Sequence, residues 1–446
     1  MSQSLPPGPD GIPVFGNTVQ YLRAPCERRE RWAEEYGSVV SVDILGMDMY
    51  MLTEPGLIKQ VLMTDTGKYK KVESTKEHLE RTIGDGLLLS EGDFWKRQRN
   101  LIQPAFYPDR LRDYADVMTD CATTKADSWD PGETYDVEEE MRSLTLEILV
   151  KALFGTDVDP DTRATIRDAV KALMLRTKPS TLPVVYFLPD WVPLPVNIRY
   201  NRGIRQINEA IDELIQLRRN EDEHGEDLLS ILIEAETDEG VGMSDETLRD
   251  EITTMLFAGH ETTALTLTFT WDLLARNPQK EAKLHDELDE VLDGRPPTFD
   301  DLPDLEYTEK VVKESLRLYP PAHDIRRQTT QEVTLDGYTI PEDTIVSMPL
   351  WVLHRDDRWF EDPEAFRPER WTDGFEEELP EFAYFPFGGG PRQCIGKTFA
   401  VNEAKLTMAT FARQYELDHV EDGDLNIMAG VTLQPRNGLD MAVKER

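Results

Sequence analysis

Cysteine is scarce in this chain. Only Cys26, Cys121 and Cys394 occur among 446 residues. Three thiols cannot build a disulfide framework, so a reducing compartment, the cytoplasm, is the expectation. Basic residues are also short, with 49 Lys and Arg against 86 Asp and Glu and a net charge of -37. That balance leaves no basic face for nucleic acid. The carboxylates are not gathered into a tail but run through the whole chain. Such a surface stays hydrated in concentrated salt, where screening removes most of the self-repulsion, and it fits a halophilic archaeal host. Long apolar runs are missing too, and none reaches the length of a membrane span. The opening stretch MSQSLPPGPDGIPVFGN has neither an apolar core nor a basic head, so neither a signal peptide nor a membrane anchor is expected.

What is present argues for a large helical fold. The length calls for two domains or one fold with two lobes, and no internal repeat stands out. Val39 to Thr53 alternates around Gly46 as a hairpin does, and Val333 to Met348, with Asp336-Gly337, and Val431 to Val443, with Asn437-Gly438, read the same way. Most of the rest has helical periodicity. The expected class is mainly α with a small β-rich lobe, not alternating βαβ units. Thr181 to Val196, TLPVVYFLPDWVPLPV, is broken as a helix by its prolines. It reads either as a buried connector or as a mobile apolar loop over a pocket entrance. One helix is longer than the others. Ser244 is its N-cap, Asp245 and Glu246 fill its first turn, and Asn277-Pro278 stops it after Arg276. Roughly 33 residues give about 50 Å, enough to cross a whole globular molecule.

The chemistry gathers at FPFGGGPRQCIG, Phe385 to Gly396. After it, Ile395, Phe399, Leu406 and Phe411 are spaced as on a helix, so Cys394 lies at or just before a helix N-terminus. Exposed amides and the helix dipole stabilise a thiolate there. Gly388, Gly389 and Gly390 carry no side chains, so a large flat partner could approach the sulfur. An inert cysteine is one reading. A phosphate loop is another, but neither the P-loop pattern nor G-x-G-x-x-G is present. A thiolate facing a glycine-walled gap suits an axial ligand to haem iron. His260 to Ala264, HETTA, invites a zinc reading, but Ala264 stands where the second histidine of H-E-x-x-H belongs.

The stretch from Phe387 to Gly396 resembles the cysteine-ligand loop of the cytochrome P-450 family, the haem-thiolate monooxygenases. Other segments match in order across nearly the whole chain. ESLR, Glu314 to Arg317, resembles the family's E-x-x-R helix, and FRPERW, Phe366 to Trp371, the segment whose arginine joins that pair. AGHETT, Ala258 to Thr263, resembles the oxygen-binding part of the long central helix, and WKRQR, Trp95 to Arg99, the helix under the haem.

The resemblance implies that residues 1–446 are one domain of the P-450 fold, with the long central helix over a haem b held by the Cys394 thiolate. It implies Glu261 and Thr262 as the catalytic acid-threonine pair, with Glu261 starting a proton path and a local opening of the helix at Gly259. It implies Trp95, Arg99, Arg327 and Arg392 around the haem propionates, Phe387 beside the sulfur, and Ala258 and Gly396 in contact with the cofactor. Leu88, Ala258, Ala322 and Val431 are implied as an apolar substrate pocket. His323, beside Ala322, reads as a solvated loop residue or as a hydrogen-bond partner for substrate. Glu314 and Arg317 are i,i+3 on one helix face, and with Arg370 they make a charge triad that acts as a structural lock. The activity implied is insertion of one oxygen atom from O2 into a lipophilic small molecule by a monomer. Electrons would come from a separate ferredoxin-type donor and its reductase, since no flavin or nicotinamide fingerprint is visible. A haem-thiolate peroxygenase or isomerase, and a haem gas-binding protein without turnover, are the alternatives.

Overall fold

The computed structural model describes residues 5–44, 46–155, 158–175, 191–220, 225, 227–235, 240–420, 423 and 425–446. Of the proline-rich segment singled out above, 181–190 lie outside the described residues. The chain divides into two units. One comprises Met1–Glu77 and Lys313–Cys394, the other His78–Val312 and Ile395–Arg446.

In the first unit, β1 (Val39–Ile44) and β2 (Met47–Leu52) pair antiparallel around Gly46, whose φ is +76°. The alternation of apolar residues loads both faces. Val40, Val42, Met49 and Met51 pack with Trp32 of α2 (Pro25–Tyr36), while Val39, Tyr50 and Leu52 join a larger cluster on the other side. That cluster also takes in Val346, Met348, Phe382 and Phe385. The sheet order is β1-β2-β8-β5-β3, with β3 at Tyr69–Lys70, β5 at Asp324–Thr329 and β8 at Ile345–Pro349. Asp336 and Gly337, both at positive φ, turn a separate hairpin between β6 (Val333–Leu335) and β7 (Tyr338–Ile340). The hairpin expected over 333–348 is therefore only its first half, because β8 is drawn into the large sheet beside β2 and β5.

In the second unit, the long helix α11 runs from Asp245 to Ala275. Its 31 residues span about 46 Å. The Ser244 side chain accepts from Thr247 N at 3.1 Å, and the next helix, α12 (Pro278–Leu292), starts on the stopping proline. Leu265, Leu267, Phe269, Trp271 and Leu274 are all fully buried, so this part of the helix is enclosed on every side. Its main neighbour is α7 (Val137–Phe154). Gly259 permits the approach, since a Cβ there would stand 3.0 Å from Leu149 Cδ2. The other helices used below are α4 (Glu73–Ile83), α5 (Gly92–Ile102), α13 (Glu306–Leu318) and α16 (Lys397–Ala412).

The third expected hairpin, Val431 to Val443, does not form. β11 (Leu433–Pro435) pairs with β10 (Ile427–Ala429), whereas β12 (Asp440–Glu445) pairs with β4 (Thr134–Asp136) and β9 (Tyr415–His419). Asn437-Gly438 bends the chain, but Asp136 captures the residues just beyond the bend. Leu439 N donates to Asp136 Oδ1 at 3.3 Å, and a Cβ on Gly438 would lie 2.7 Å from Asp136 Oδ2.

A buried carboxylate organises the first unit. Glu314 is fully buried and accepts five hydrogen bonds. They come from Arg317 Nη2 at 2.8 Å and Nε at 3.0 Å, Arg370 Nε at 2.9 Å, Trp371 Nε1 at 2.9 Å and Arg367 N at 3.0 Å. Arg317, also fully buried, reaches on to the carbonyls of His354 at 2.8 Å and Pro363 at 2.7 Å. A buried charge held this way is stable only as a set. Glu314→Ala should therefore cost about 3–5 kcal/mol, because two guanidinium groups lose their counter-charge. Denaturant unfolding of the variant checks this, and an unchanged midpoint would remove the lock from the fold.

Candidate active site

Within the first unit, the cysteine loop is tied down from its N-terminal side. Phe385 belongs to the core, and its N–H donates to His354 Nε2 at 3.1 Å. That nitrogen must therefore accept. Burial, helped by Arg317 and Arg355, pushes the His354 pKa down to about 3, which keeps the ring neutral. Gly388 N then donates to Phe385 O at 2.8 Å, Gln393 N to Gly390 O at 3.1 Å and Cys394 N to Phe387 O at 3.0 Å. Gly388 and Gly390 have φ of +67° and +66°. A Cβ on Gly390 would sit 2.1 Å from Leu62 O, and one on Gly389 2.2 Å from Phe382 Cε1. The glycines are thus dictated by close packing as well as by dihedral angle.

The outcome is one accessible thiol. Cys394 is exposed, while Cys26 and Cys121 are buried. Burial pushes the Cys26 thiol up to about 12 and raises that of Cys121, so neither is primed as a thiolate. Arg392 closes a short 3-10 turn, Gly390–Arg392, two residues before Cys394, and it and Phe387 are half-buried. A soft donor on a glycine-walled loop with a nearby cation fits haem iron and a haem carboxylate.

β5 carries the second part of this unit's set. Arg326 donates to Asp324 Oδ2 at 2.5 Å and to Tyr21 OH at 3.2 Å, and Arg29 of α2 donates to the same Asp324 oxygen at 2.9 Å. Burial alone would raise the Asp324 pKa, but Arg29 and Arg326 outweigh it and hold the group well below the carboxylate range. Successive strand residues face opposite ways, so Arg327 lies on the face away from this network. Arg327 Nη1 donates to Arg326 O at 2.8 Å. His323 is 3% exposed, and its Nδ1 lies 3.2 Å from Arg29 Nη1. A guanidinium only donates, so Nδ1 accepts. His323 is therefore not the solvated loop residue expected, because α2 covers it with a buried arginine. Ala322 beside it is exposed.

In the second unit, the burial of α11 is interrupted where the motif lies. Ala258 is exposed and Thr262 half-buried, four residues apart on one face. The helix is continuous through this point, without the opening expected at Gly259. Instead the threonines bond backwards. Thr262 Oγ1 donates to Ala258 O at 3.0 Å, Thr263 Oγ1 to Gly259 O at 3.3 Å, and Thr145 of α7 donates to His260 O at 2.9 Å. These bonds tilt carbonyls without breaking the helix. Glu261 is 4% exposed and accepts from Arg142 Nη1 at 2.7 Å. Arg142 also binds Glu138 at 2.9 Å.

On α5, Trp95 and Arg99 are half-buried and share a face at i,i+4. Leu88 and Val431 are exposed apolar residues, at 36% and 44%. Gly396 is the N-cap residue of α16. Sequence reasoning missed three residues: Arg142, His354 and Glu403. Glu403 lies nine residues after Cys394, with Phe399, Ala400 and Leu406 at i−4, i−3 and i+3, which was a usable signal. It is 2% exposed, and burial, against a hydrogen bond from Thr263, pushes its pKa up to about 8. The other two carry no local mark. No helix among the described residues is long and apolar enough to cross a membrane.

Comparison with known proteins completes the description. The family model described as Cytochrome P450 matches residues 6–439. Cyclooctat-9-en-7-ol 5-monooxygenase of Streptomyces melanosporofaciens is 35% identical over 410 residues, covering 92% of this chain and 88% of that protein. Pentalenene oxygenase of Streptomyces avermitilis is 31% identical over 428 residues, covering 95% and 94%. The crystal structure of the cytochrome P450DA heme domain superposes with a TM-score of 0.90 at 28% identity, covering 100% of this chain and 98% of that one.

The state of His354 makes the site acid-sensitive. Its pKa falls from an ordinary 6.5 to about 3 on folding. Between these values the unfolded chain binds a proton that the folded chain refuses, so this contribution to stability is lost as pH falls from about 6.5 towards 3. His354→Gln, which keeps an acceptor but does not titrate, should show a shallower loss in denaturant unfolding across that window. Parallel curves would exclude His354 from the acid response.

Proposed function

The chain belongs to the cytochrome P450 family, and on that premise we propose how its own residues share the work of the reaction. It is a haem-thiolate monooxygenase. The haem, when bound, supplies the activation of dioxygen and the transfer of one oxygen atom. Cys394 is the thiolate ligand in this reading, and the observation that carries it is the single exposed thiol on a loop fixed by Phe387 O and the Gly388–Gly390 turns. Trp95, Arg99, Arg327 and Arg392 bind the haem carboxylates in this reading. Phe387 and Gly396 flank the ligand segment. Ala258, small and exposed, leaves room on α11. Thr262 Oγ1 hands on the two protons that the reaction consumes, one at a time, and Glu261 resupplies them. Glu261 Oε1 takes up that role only after leaving Arg142 Nη1, its partner at 2.7 Å. Family membership across residues 6–439 supports reading 1–446 as one domain.

The substrate is a lipophilic small molecule. Leu88, Ala258, Ala322 and Val431 are apolar and all exposed, and the relatives above are named for cyclooctat-9-en-7-ol and pentalenene. Electrons come from a separate ferredoxin-type donor to this cytoplasmic monomer. Lys96, Arg97 and Lys397 are exposed cations in a chain of net charge -37, and they form the docking patch in this reading. The same charge supports a salt-adapted surface; the relatives named above are bacterial.

Two substitutions test the chemistry. Cys394→Ser should abolish the red-shifted Soret band of the ferrous-CO form, while Cys26→Ser and Cys121→Ser keep it. A retained band in the Cys394 variant overturns the ligand assignment. Thr262→Ala should bind haem and substrate but divert most reducing equivalents into peroxide, read as product per NAD(P)H. An unchanged ratio removes Thr262 from proton delivery. The salt reading is tested by haem retention and ferredoxin-driven turnover from low to molar KCl, for wild type and Lys96→Glu/Arg97→Glu. At molar salt the Debye length is about 3 Å, so only short-range pairs steer docking. Both quantities should rise with salt, with turnover lost in the double variant. Highest activity at low salt refutes the adaptation, and normal turnover in the double variant refutes the patch.

A further inference from the structure

We propose that Asp250 and Glu251 are positioning residues that clamp the 83–88 loop onto α11 and thereby set which apolar substrates are accepted. The proposal rests on the reading that Leu88 lines the substrate pocket.

Three side chains within two turns of α11 grip this loop. Thr254 Oγ1 donates to Ile83 O at 3.2 Å, Asp85 N donates to Asp250 Oδ2 at 3.0 Å, and Leu87 N donates to Glu251 Oε2 at 2.9 Å. Two glycines let the backbones meet. Gly84 has φ +59°, and a Cβ there would fall 1.9 Å from Asp250 Cγ. A Cβ on Gly86 would fall 2.2 Å from Thr254 Oγ1. The loop is therefore built to lie against this stretch of helix and nowhere else. Leu88 follows the clamped Leu87 directly, and it is exposed where Leu89 and Ser90 are buried. The clamp thus determines where the one outward apolar side chain stands.

Glu251 sits seven residues before Ala258 and eleven before Thr262. At 3.6 residues per turn all three fall on one stripe, with Glu251 about 10 Å upstream of Ala258. Glu251 is fully buried, and its Oε1 is enclosed without a hydrogen-bond partner in the structure. It therefore acts through the loop and does not touch substrate. The charged groups facing it are Asp250 on its own helix and Asp85 on the loop. Arg249, two residues before Glu251, engages Asp212 at 2.7 Å. Burial, aided by the two aspartates and opposed by the Leu87 amide, pushes the Glu251 pKa up to about 8. At neutral pH the clamp is a neutral acid. Above about 8 it becomes a buried carboxylate with one donor and no cation, and relief comes only by releasing the loop.

The test uses the haem-loaded enzyme and two iron-binding probes followed by the Soret shift. Imidazole needs only access to iron, whereas 1-dodecylimidazole also fills the apolar pocket. Their affinity ratio cancels the protonation of the azole ring. In wild type the ratio should favour dodecylimidazole at pH 7 and fall by about fivefold by pH 9, the size of one lost hydrogen bond. Glu251→Gln, whose amide oxygen can still accept from Leu87 N, should keep the pH 7 ratio and show no pH step. Glu251→Ala should have the lowered ratio at every pH, with KM for a turned-over substrate raised and kcat nearly unchanged. An unchanged ratio in Glu251→Ala, a wild-type ratio flat to pH 9, or the same step in Glu251→Gln overturns the clamp. If Glu251→Ala fails to load haem, the pH profiles of wild type and Glu251→Gln decide. A wild type with no preference for dodecylimidazole refutes the apolar pocket itself, and the clamp with it.

Discussion

The cysteine loop depends on a carboxylate that never touches it. Glu314 is buried with five donors around it, and one of them, Arg317, passes the constraint on. Arg317 holds the His354 carbonyl, the His354 ring receives Phe385 N, and Phe385 O receives Gly388 N. Each step is a single hydrogen bond between groups that are buried or nearly so, where an unmade bond costs more than a made one gains. The chain of bonds tolerates no slack, and that is what a ligand-bearing loop needs. Three consecutive glycines would otherwise be the most mobile stretch in the protein. Here they are wedged between Leu62, Phe382 and Ile325, and their lack of side chains fixes the loop instead of loosening it.

A second constraint acts along α11. The helix is the buried axis of its unit, yet it carries polar residues on nearly every turn. Half of them are threonines, and Thr262, Thr263, Thr266, Thr268 and Thr270 all bond back to carbonyls three or four residues earlier. Back-bonding hides the hydroxyls from the apolar surroundings and keeps the backbone helical. The same device holds a proton in reserve, since a hydroxyl that donates to its own helix can be turned towards another acceptor by one χ1 rotation. A local opening was therefore not required for the reading given to Thr262. The helix carries its polar function in side-chain rotamers, and the backbone stays closed.

How much of this was legible in sequence depends on range. The ends of α11 were legible because caps and prolines act within four residues, and Ser244 and Pro278 stand where such signals should. The turn at Gly46 was legible for the same reason. The 431–443 hairpin was misread because its turn is real but its strand partners are not local. β12 joins residues 134–136 and 415–419, and no property of Asn437-Gly438 could announce that. His323 was misread similarly, since its cover is Arg29, 294 positions away. Among the site residues, the motif around Cys394 was plain, whereas Arg142 and His354 act by contacts that no spacing encodes. Glu403 and Glu251 lie between these extremes. Each is an acid inside an apolar helical face, a mark that sequence does carry.

Those buried acids also change what the net charge means. The formal value of -37 counts every carboxyl as ionised. Burial pushes Glu251 and Glu403 up to about 8 and Glu281 up to about 7, so the folded chain at pH 7 is less negative than the formal value. Inside, Glu314, Asp324 and Glu261 are each matched by an arginine at 2.9 Å or less. The interior is therefore close to electrically balanced, and nearly all the excess negative charge is left to the surface. Surface charge is screened by salt over a few ångströms, while buried pairs are not. The fold thus separates two populations of carboxylates. One is insensitive to ionic strength and fixes the cysteine loop and the central helix. The other lies at the surface, where pairs such as Lys59–Glu381 and Arg112–Asp300 are solvent-exposed and screened by salt. The residues that hold the cysteine loop and the central helix are thus tied by the pairs that salt screens least.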